Sequence, residues 1–237
     1  GMAYEAYPNF ENGNYQFSSI QTSRAFFASM NMTSPMIQDA AVRKAIAMGI
    51  NKEGFVKTLL EGHGVAASGA FPDGFSTFGG EHVMTETYDA EGAKALLERA
   101  GWVDRDGDGI REKDGVKLTI RWLTYPSRQE LPLLAESAQA TLKDIGIDVD
   151  INCTANRREF LADMTSWDIY ASAMVTAPSG DPQYFFTSCC VPGMSYNFGA
   201  YENTDVNAMI DELATEFDTE KRGELAVKLQ QTILDDN

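Results

Sequence analysis

The stretch that decides the fold runs from Val116 to Ile151 and reads VKLTIRWLTYPSRQELPLLAESAQATLKDIGIDVDI. Apolar and polar residues alternate at its beginning, Val116–Trp122, and at its end, Ile147–Ile151, which predicts two strands with one buried face each. Between them, apolar residues at helical spacing predict a helix, and Gly146 follows as its stop. These apolar residues are Leu131, Leu134, Ala135, Ala138, Leu142 and Ile145. Strand, helix and strand with short links form a right-handed crossover, so we predict an α/β fold with a mixed, partly parallel sheet flanked by helices.

The preceding residues, Tyr88 to Gly115, join a predicted helix to an acidic turn and read YDAEGAKALLERAGWVDRDGDGIREKDG. Asp89 is suited to cap the helix, and Gly101 is suited to end it. Aspartates then stand at alternate positions before a glycine, as in the first half of a calcium-binding loop. The three candidate calcium ligands are Asp104, Asp106 and Asp108.

Calcium binding is one interpretation of this turn, and a turn without metal is the other. A calcium loop requires a bidentate carboxylate at its twelfth position, where this chain has Gly115. Glu112 stands at the ninth position and does not replace that carboxylate. Closely spaced Asp and Gly also form turns without metal, because short carboxylates accept hydrogen bonds from nearby amides. We favour the structural turn and keep a calcium-binding extracellular enzyme or adhesion domain as the alternative from another class of protein.

The other predicted strands are SRAFFASMN, residues 23–31, as a buried strand, and Trp167–Val175. Helices are predicted after the caps Asp39 and Asn51, near Arg157–Met164, and twice at the end of the chain. Their inward residues are Val42, Ala45, Ile46, Phe55, Val56, Leu59, Leu60, Val206, Met209, Ile210, Leu213, Phe217, Leu225, Leu229 and Ile233.

Two long loops are predicted, Gly62–Thr87 and Thr176–Tyr201. In the first, Phe71, Phe75 and Phe78 are spaced to anchor the loop on the surface of the fold.

Composition excludes several classes of function. The 237 residues carry a formal net charge of −16 without a cluster of Lys and Arg, so we predict no nucleic-acid partner. No apolar run in the sequence approaches the ~18 residues of a membrane helix. Gly1 precedes Met2, and the closing QQTILDDN still follows a helical pattern. We therefore expect a piece of a longer protein whose leader segment has been left out.

Little in the sequence supports catalysis, and we predict that the protein is not an enzyme. His63 and His82 both lie in the first long loop, where solvated histidines are the simpler interpretation. Residues 193–197, GMSYN, lack the second glycine of a nucleophile elbow, and no nucleotide-binding glycine motif occurs. We predict no cofactor. The cysteines are too few for a disulfide framework and are predicted to be buried or free thiols: Cys153, Cys189 and Cys190.

The loop Thr176–Tyr201 holds the most promising binding chemistry, TAPSGDPQYFFTSCCVPGMSYNFGAY. It follows a predicted strand directly, and ligands of open α/β folds bind at the carboxyl ends of strands. Tyr184, Phe185 and Phe186 are suited either to line a cleft or to anchor a helix in the core, and spacing leaves both interpretations open.

Four motifs resemble a known family. They are VRKAIAMGINKEGFVKTLLEGHG at 42–64, the stretch 88–115 quoted above, LTYPSRQELPLLAESAQATLKDIGIDVDI at 123–151, and TAPSGDP at 176–182 followed by a turn rich in Tyr and Asn. In this order and spacing they resemble the extracytoplasmic solute-binding proteins of peptide and nickel ABC importers, bacterial family 5. The resemblance extends from about Ala25 to the end of the chain.

The resemblance implies a periplasmic-binding-protein-like lobe of type II. Residues 1–237 would form one domain, the second lobe of a two-lobed receptor, with residues 1–20 as an inter-lobe or peripheral segment. The family captures a solute between its lobes and delivers it to the permease subunits of the transporter. A monomer is implied, either periplasmic or a lipoprotein at the cell surface.

The 176–201 loop also bears on the solute. Peptide-binding members carry an acidic residue shortly before the Gly-Asp-Pro turn, where this chain has Ala177, Pro178 and Ser179. This is similar to nickel-binding members, although Met194 stands where those can present a histidine and Val175 where they can present a tryptophan. The resemblance thus implies a transported nickel chelate, with a receptor for oligopeptides or dipeptides as the alternative. The residues predicted to face the solute are Val175, Ala177, Ser179, Met194, Tyr196 and Asn197.

Overall fold

A computed structural model describes residues 6–11, 13–16, 18 and 20–236. Its strands are β1 (Arg24–Met30), β2 (Glu112–Lys113), β3 (Val116–Lys117), β4 (Thr119–Thr124), β5 (Asp148–Cys153) and β6 (Ile169–Val175). Its helices are α1 (Pro8–Glu11), α2 (Pro35–Gln38), α3 (Ala40–Gly49), α4 (Lys52–Thr58), α5 (Ala90–Arg99), α6 (Glu130–Lys143), α7 (Arg157–Ala162), α8 (Gln183–Cys190), α9 (Thr204–Thr215) and α10 (Thr219–Asp235), with a short 3₁₀ turn at Gly80–His82.

The main sheet has four strands in the order β1-β6-β4-β5. Strand β4 runs parallel to β5 and to β6, whereas β1 is antiparallel to β6. The predicted α/β fold with a mixed, partly parallel sheet is therefore confirmed. Strands β4 and β5 end at the same level, Thr124 beside Cys153, whereas β6 starts beside the end of β4 and continues beyond it to Val175.

The crossover from β4 to β5 forms as its pattern predicts. Helix α6 buries Leu131, Ala135, Ala138 and Leu142 against the sheet. Gly146 adopts φ +87° directly after the helix, a conformation that glycine takes at low energetic cost. The helix therefore ends there and the chain turns into β5.

Two apolar clusters hold the chain together. The first joins the sheet to α3, α5 and α6 and contains the fully buried Trp122 and Trp167. The second joins α8, α9 and α10 to the long loop 62–87 through Phe71 and Phe78, whose rings meet edge to face at 5.0 Å. The predicted anchoring of this loop by its phenylalanines is confirmed.

Several predicted elements differ from the structure. The strand predicted from Val116 is two strands, because β3 pairs with β2 in a separate hairpin before β4 begins. Strand β1 is half-buried rather than buried, because it lies at the edge of the sheet. Leu59 and Phe217 were predicted to point inward but are 39% and 87% exposed. Helix α4 ends at Thr58 and α9 ends at Thr215, so both residues lie beyond the helix that was expected to bury them.

Part of the predicted peripheral segment 1–20 lies outside the described residues, namely 1–5, 12, 17 and 19. Near its described part, the rings of Tyr7 and His63 stack at 4.3 Å. Within the described ranges, none of the helices combines the length and the apolar character needed to cross a bilayer.

An ion pair between the buried Asp168 and the partly exposed Arg121 links the central strands. Asp168, 1% exposed, accepts hydrogen bonds from Arg121 Nε at 2.9 Å and Nη2 at 2.6 Å, and from Ser34 Oγ at 2.6 Å. Burial alone would raise the pKa of Asp168, but the hydrogen bonds from Arg121 and Ser34 lower it below 3.8. The stabilisation that this lowered pKa gives the folded state is present above the ordinary carboxyl pKa of 3.8. It is lost as the pH falls through the lowered pKa of Asp168.

We expect Arg121→Met to lower the free energy of unfolding by about 3 kcal/mol, because it leaves the Asp168 carboxylate buried without its cation. The measurement is urea denaturation at neutral pH. Arg158→Met is the matched control, since Arg158 is exposed and lies at the surface of α7. An equal loss in both variants would contradict the assigned role of the pair.

Candidate functional site

The segment 176–201 starts from a fixed point at the carboxyl end of β6. Thr176 is fully buried, and both its backbone amide and its hydroxyl donate to the carbonyl of Ser23, at 2.7 Å and 3.1 Å. Ser23 directly precedes β1. The start of the segment is thereby tied to the strand that pairs with β6.

The middle of the segment is helical, which corrects the prediction of a continuous loop. Helix α8 begins after Asp181, whose carboxylate accepts from the amide of Gln183 at 2.9 Å and from Arg222 Nη2 at 2.6 Å. Phe186 is fully buried in the second apolar cluster, and Phe185 packs against the same cluster. Of the two interpretations left open by the sequence, these two rings anchor a helix in the core, whereas Tyr184 stays 40% exposed.

The end of the segment is a turn held by Asn197. Its side-chain amide donates to the carbonyls of Val191 at 3.1 Å and Tyr201 at 2.8 Å, and its Oδ1 accepts from the Tyr201 amide at 2.9 Å. Gly199 lies so close to β1 that a Cβ atom there would be 2.0 Å from the Met30 carbonyl oxygen. Only glycine allows this approach, so the turn is held against the end of β1.

The six residues predicted to face a solute fall into two groups. Val175, Ser179, Met194 and Tyr196 are exposed, with Met194 at 41% and Tyr196 at 45%. The other two, Ala177 and Asn197, serve the structure of the segment. Ala177 is buried in the second cluster, and the amide of Asn197 is occupied by the backbone of the turn.

Exposed apolar side chains concentrate at this part of the chain. Among the described residues, twelve large apolar side chains are exposed, and four of them fall in the short interval 175–196. Val175 lies at the carboxyl end of β6, whereas Met194 and Tyr196 belong to the turn that is held beside Met30, at the other end of that strand. The four are Val175, Tyr184, Met194 and Tyr196.

A row of aromatic rings connects this surface to the ends of the other parallel strands. The ring of Tyr196 lies 5.9 Å from Phe198, Phe198 lies 5.1 Å from Tyr170, and Tyr170 lies 6.4 Å from Tyr125. Arg157, which follows β5, places its guanidinium 4.2 Å above the Tyr125 ring. We call these four rings the aromatic row.

Sequence reasoning missed Tyr125, Tyr170 and Arg157. The available signal was position, because Tyr125 follows β4 and Arg157 follows β5 after a short link. Since β4 and β5 are parallel and end at the same level, both residues had to lie at the same edge of the sheet.

The segment has no thiolate to offer a metal ion at neutral pH. Burial raises the pKa of the Cys189 thiol to about 12, and burial also raises the pKa of Cys190. A protonated thiol is a poor ligand, so metal binding through these cysteines is disfavoured. All three cysteines are free, and Cys153 is exposed rather than buried.

The carboxylates of the acidic turn already accept hydrogen bonds from nearby amides and from Lys117. Asp104 accepts from the amides of Gly107 at 2.8 Å and Gly109 at 2.9 Å. The ammonium group of Lys117 bridges the carboxylates of Asp106 and Asp108, the first at 2.7 Å. The hydrogen bond from Lys117 lowers the pKa of Asp108. Lys117 therefore holds the position among the carboxylates that a cation would need.

We expect millimolar calcium to leave the melting temperature of the chain unchanged, because Lys117 already neutralises the turn and Gly115 supplies no twelfth ligand. Binding at a hundredfold excess over Kd would stabilise the fold by about 2.7 kcal/mol, which thermal melting detects. Magnesium serves as the control for ionic strength. A rise in melting temperature specific to calcium would support the calcium alternative.

We expect Asn197→Ala to lower the free energy of unfolding by about 1–3 kcal/mol, because two partly buried carbonyls and one amide each lose a hydrogen bond. Urea denaturation measures the change. Ser195→Ala is the matched control from the same turn, where the side chain is exposed. A result within experimental error of the control would show that Asn197 does not hold the turn.

Two shallow depressions of about 250 and 300 Å³ lie elsewhere on the surface, one beside Lys44 and Met84 and one beside Asp104 and Arg111. Neither is lined by the 176–201 segment.

Comparison with known proteins identifies this architecture. Residues 3–196 match the family described as bacterial extracellular solute-binding proteins, family 5, middle region. Over 211 residues the chain is 26% identical to the nickel-binding protein NikA of Staphylococcus aureus, covering 89% of this chain and 40% of that protein. Over 212 residues it is 27% identical to the oligopeptide-binding protein AppA of Bacillus subtilis, covering 87% of this chain and 38% of that protein.

The solved structure of Staphylococcus aureus NikA in complex with Ni(L-His)₂ has the same fold. It superposes with a TM-score of 0.86 at 24% identity, covering 98% of this chain and 48% of that one. The fold is thus a lobe of a type II periplasmic binding protein. The chain belongs to the family 5 bacterial extracellular solute-binding proteins, and it spans about two-fifths of the length of the curated relatives it matches.

Proposed function

We propose that the chain is the second lobe of a two-lobed receptor that captures a solute for an ABC importer. The observation that carries this proposal is the group of exposed apolar side chains in the interval 175–196, on a chain that covers about half of the solved Staphylococcus aureus receptor. Closure of two lobes on a solute would cover these side chains and would provide the difference in affinity between the open and closed states. No chemical step is assigned to the lobe.

A nickel chelate or a peptide-like molecule is the proposed class of solute. The matched relatives include a nickel-binding and an oligopeptide-binding protein, so both classes fit the family. Residues 177–179 carry no carboxylate, and Asp181 is already engaged by Arg222. A free peptide ammonium would lack an anionic partner at this point of the lobe, which favours the chelate.

Recognition of the solute would rest on shape and on neutral contacts in the 176–201 segment. Met194 offers a thioether, a soft and weak ligand for divalent nickel, so an intact chelate fits better than the bare ion. Tyr196 and Tyr184 offer aromatic faces and hydroxyl groups. Val175 and Ser179 complete the proposed contact surface.

The proposal also places the receptor outside the cytoplasm, in the periplasm or as a lipoprotein at the cell surface. Permease subunits of the transporter would be its protein partners, and it would act as a monomer. The nickel chelate would be cargo and not a resident cofactor.

We expect the two-lobed protein that carries this chain to bind nickel with L-histidine, or a short peptide, with submicromolar affinity in isothermal titration calorimetry. The 237-residue chain alone should bind at least a hundredfold more weakly, because one lobe cannot enclose the solute. Tyr196→Ala should weaken binding by the two-lobed protein about tenfold, with Ser195→Ala as the matched control. Submicromolar binding to the single chain would contradict the two-lobe arrangement.

A further inference from the structure

We infer that Arg157 forms an anion-binding subsite for a carboxylate group of the solute, with Tyr125 and Tyr170 as positioning residues. The inference rests on the proposed function, and it adds a charged recognition element to a surface whose other candidate residues are neutral. It concerns a residue that lies outside the 176–201 segment.

Two contacts of different kinds hold the Arg157 side chain. The guanidinium carbon lies 4.2 Å from the centre of the Tyr125 ring, within range of a cation–π interaction. The Nε–H donates to the hydroxyl oxygen of Tyr170 at 3.1 Å. Both tyrosines are themselves buried, at 8% and 3% exposure, so they provide a rigid base. The guanidinium plane is therefore oriented before any ligand arrives.

The two contacts leave the outer part of the guanidinium available. In the described part of the chain, no carbonyl or carboxylate accepts a hydrogen bond from the Nη atoms of Arg157, and no acidic group lies within ion-pair distance of it. The chain carries 35 acidic residues against 19 basic ones, so a half-buried arginine without a carboxylate partner is unusual here. Arg121 and Arg222, by contrast, each hold an aspartate at 2.6 Å.

The position of Arg157 matches that of the proposed solute. It follows β5 at the edge where the parallel strands end, and Tyr125 follows β4 at the same edge. The aromatic row links this point to Tyr196 through Phe198 and Tyr170. Arg157 and Tyr196 thus stand at the two ends of one packed row of side chains, whose inner rings, Tyr125 and Tyr170, are buried.

The chemistry of the subsite selects a planar oxyanion. Two Nη–H groups in a fixed plane match the two oxygens of a carboxylate and form paired, charge-assisted hydrogen bonds. A carboxylate could come from an amino acid that chelates nickel or from the carboxyl end of a peptide. Both sources share the chemistry that Arg157 recognises, and separate pairs of probes distinguish them.

The test compares acid and amide probes on the two-lobed protein that carries this chain. One pair is nickel with L-histidine and nickel with L-histidinamide, and the other is triglycine and triglycinamide. The variants are Arg157→Gln, Tyr170→Phe and the matched control Arg158→Gln, whose arginine is the exposed neighbour on α7. Calorimetry gives the affinity of each protein for each probe.

We expect Arg157→Gln to weaken binding of the acid probe 10–100-fold in at least one pair, with little change for its amide. Tyr170→Phe should weaken acid binding about 3–10-fold, because the guanidinium loses its fixed orientation, and Arg158→Gln should change neither probe. Equal losses for acid and amide, or an acid preference that survives Arg157→Gln, would overturn the inference. The pair that responds identifies the source of the carboxylate.

A direct measurement separates failure of this subsite from failure of the proposed function. If none of the four probes binds, the proposed solute classes are wrong, and Arg157 is then judged by NMR of ¹⁵Nε-labelled arginine during an acetate titration. The Arg157 signal, identified by its loss in Arg157→Lys, should shift and saturate while the Arg158 signal does not. An Arg157 signal that moves no further than that of Arg158 would overturn the subsite itself.

Discussion

The Asp168–Arg121 pair is the constraint on which the rest of the lobe depends. It joins β4 to the residue directly before β6, and Ser34 brings the segment after β1 to the same carboxylate. Three strands of the sheet are thereby fixed relative to one another at a buried point. At the other end of β6, Val175 and Thr176 mark the start of the 176–201 segment.

The candidate surface combines a rigid frame with a few exposed side chains. Ser23, Asn197 and Gly199 tie both ends of the 176–201 segment to β1, and Phe186 fixes its middle in the core. Ala177, Phe185 and Cys190 pack into the same cluster. The exposed side chains of Tyr184 and Met194 are thus carried on a backbone that is fixed at both ends and in the middle. The receptor proposed above would need such a preformed half-site.

Much of the fold could be predicted from the sequence. The features that were missed depend on contacts that local sequence patterns do not show. Alternation in β4 and β5 and the stop at Gly146 were sufficient for the parallel crossover, because both signals are local. Helix α8 was missed because its stability comes from Phe186 packing against distant helices, which no local pattern shows. Ala177 and Asn197 were predicted to face the solute; the structure places Ala177 in the second cluster with distant helices and engages the Asn197 side chain with the backbone of its own turn. Arg157 was missed because its partners, Tyr125 and Tyr170, come from two other strands.

The stacking of Arg157 on Tyr125 has an entropic consequence. A free arginine side chain has about 2 kcal/mol of rotamer entropy to lose when it becomes ordered around a ligand. In this lobe the ring of Tyr125 and the hydroxyl of Tyr170 restrict the side chain during folding. The entropy cost of ordering this side chain is then part of the folding free energy. It does not have to be met again each time a solute binds. A receptor of the proposed kind, which would capture and release its cargo many times, would keep that gain in every cycle.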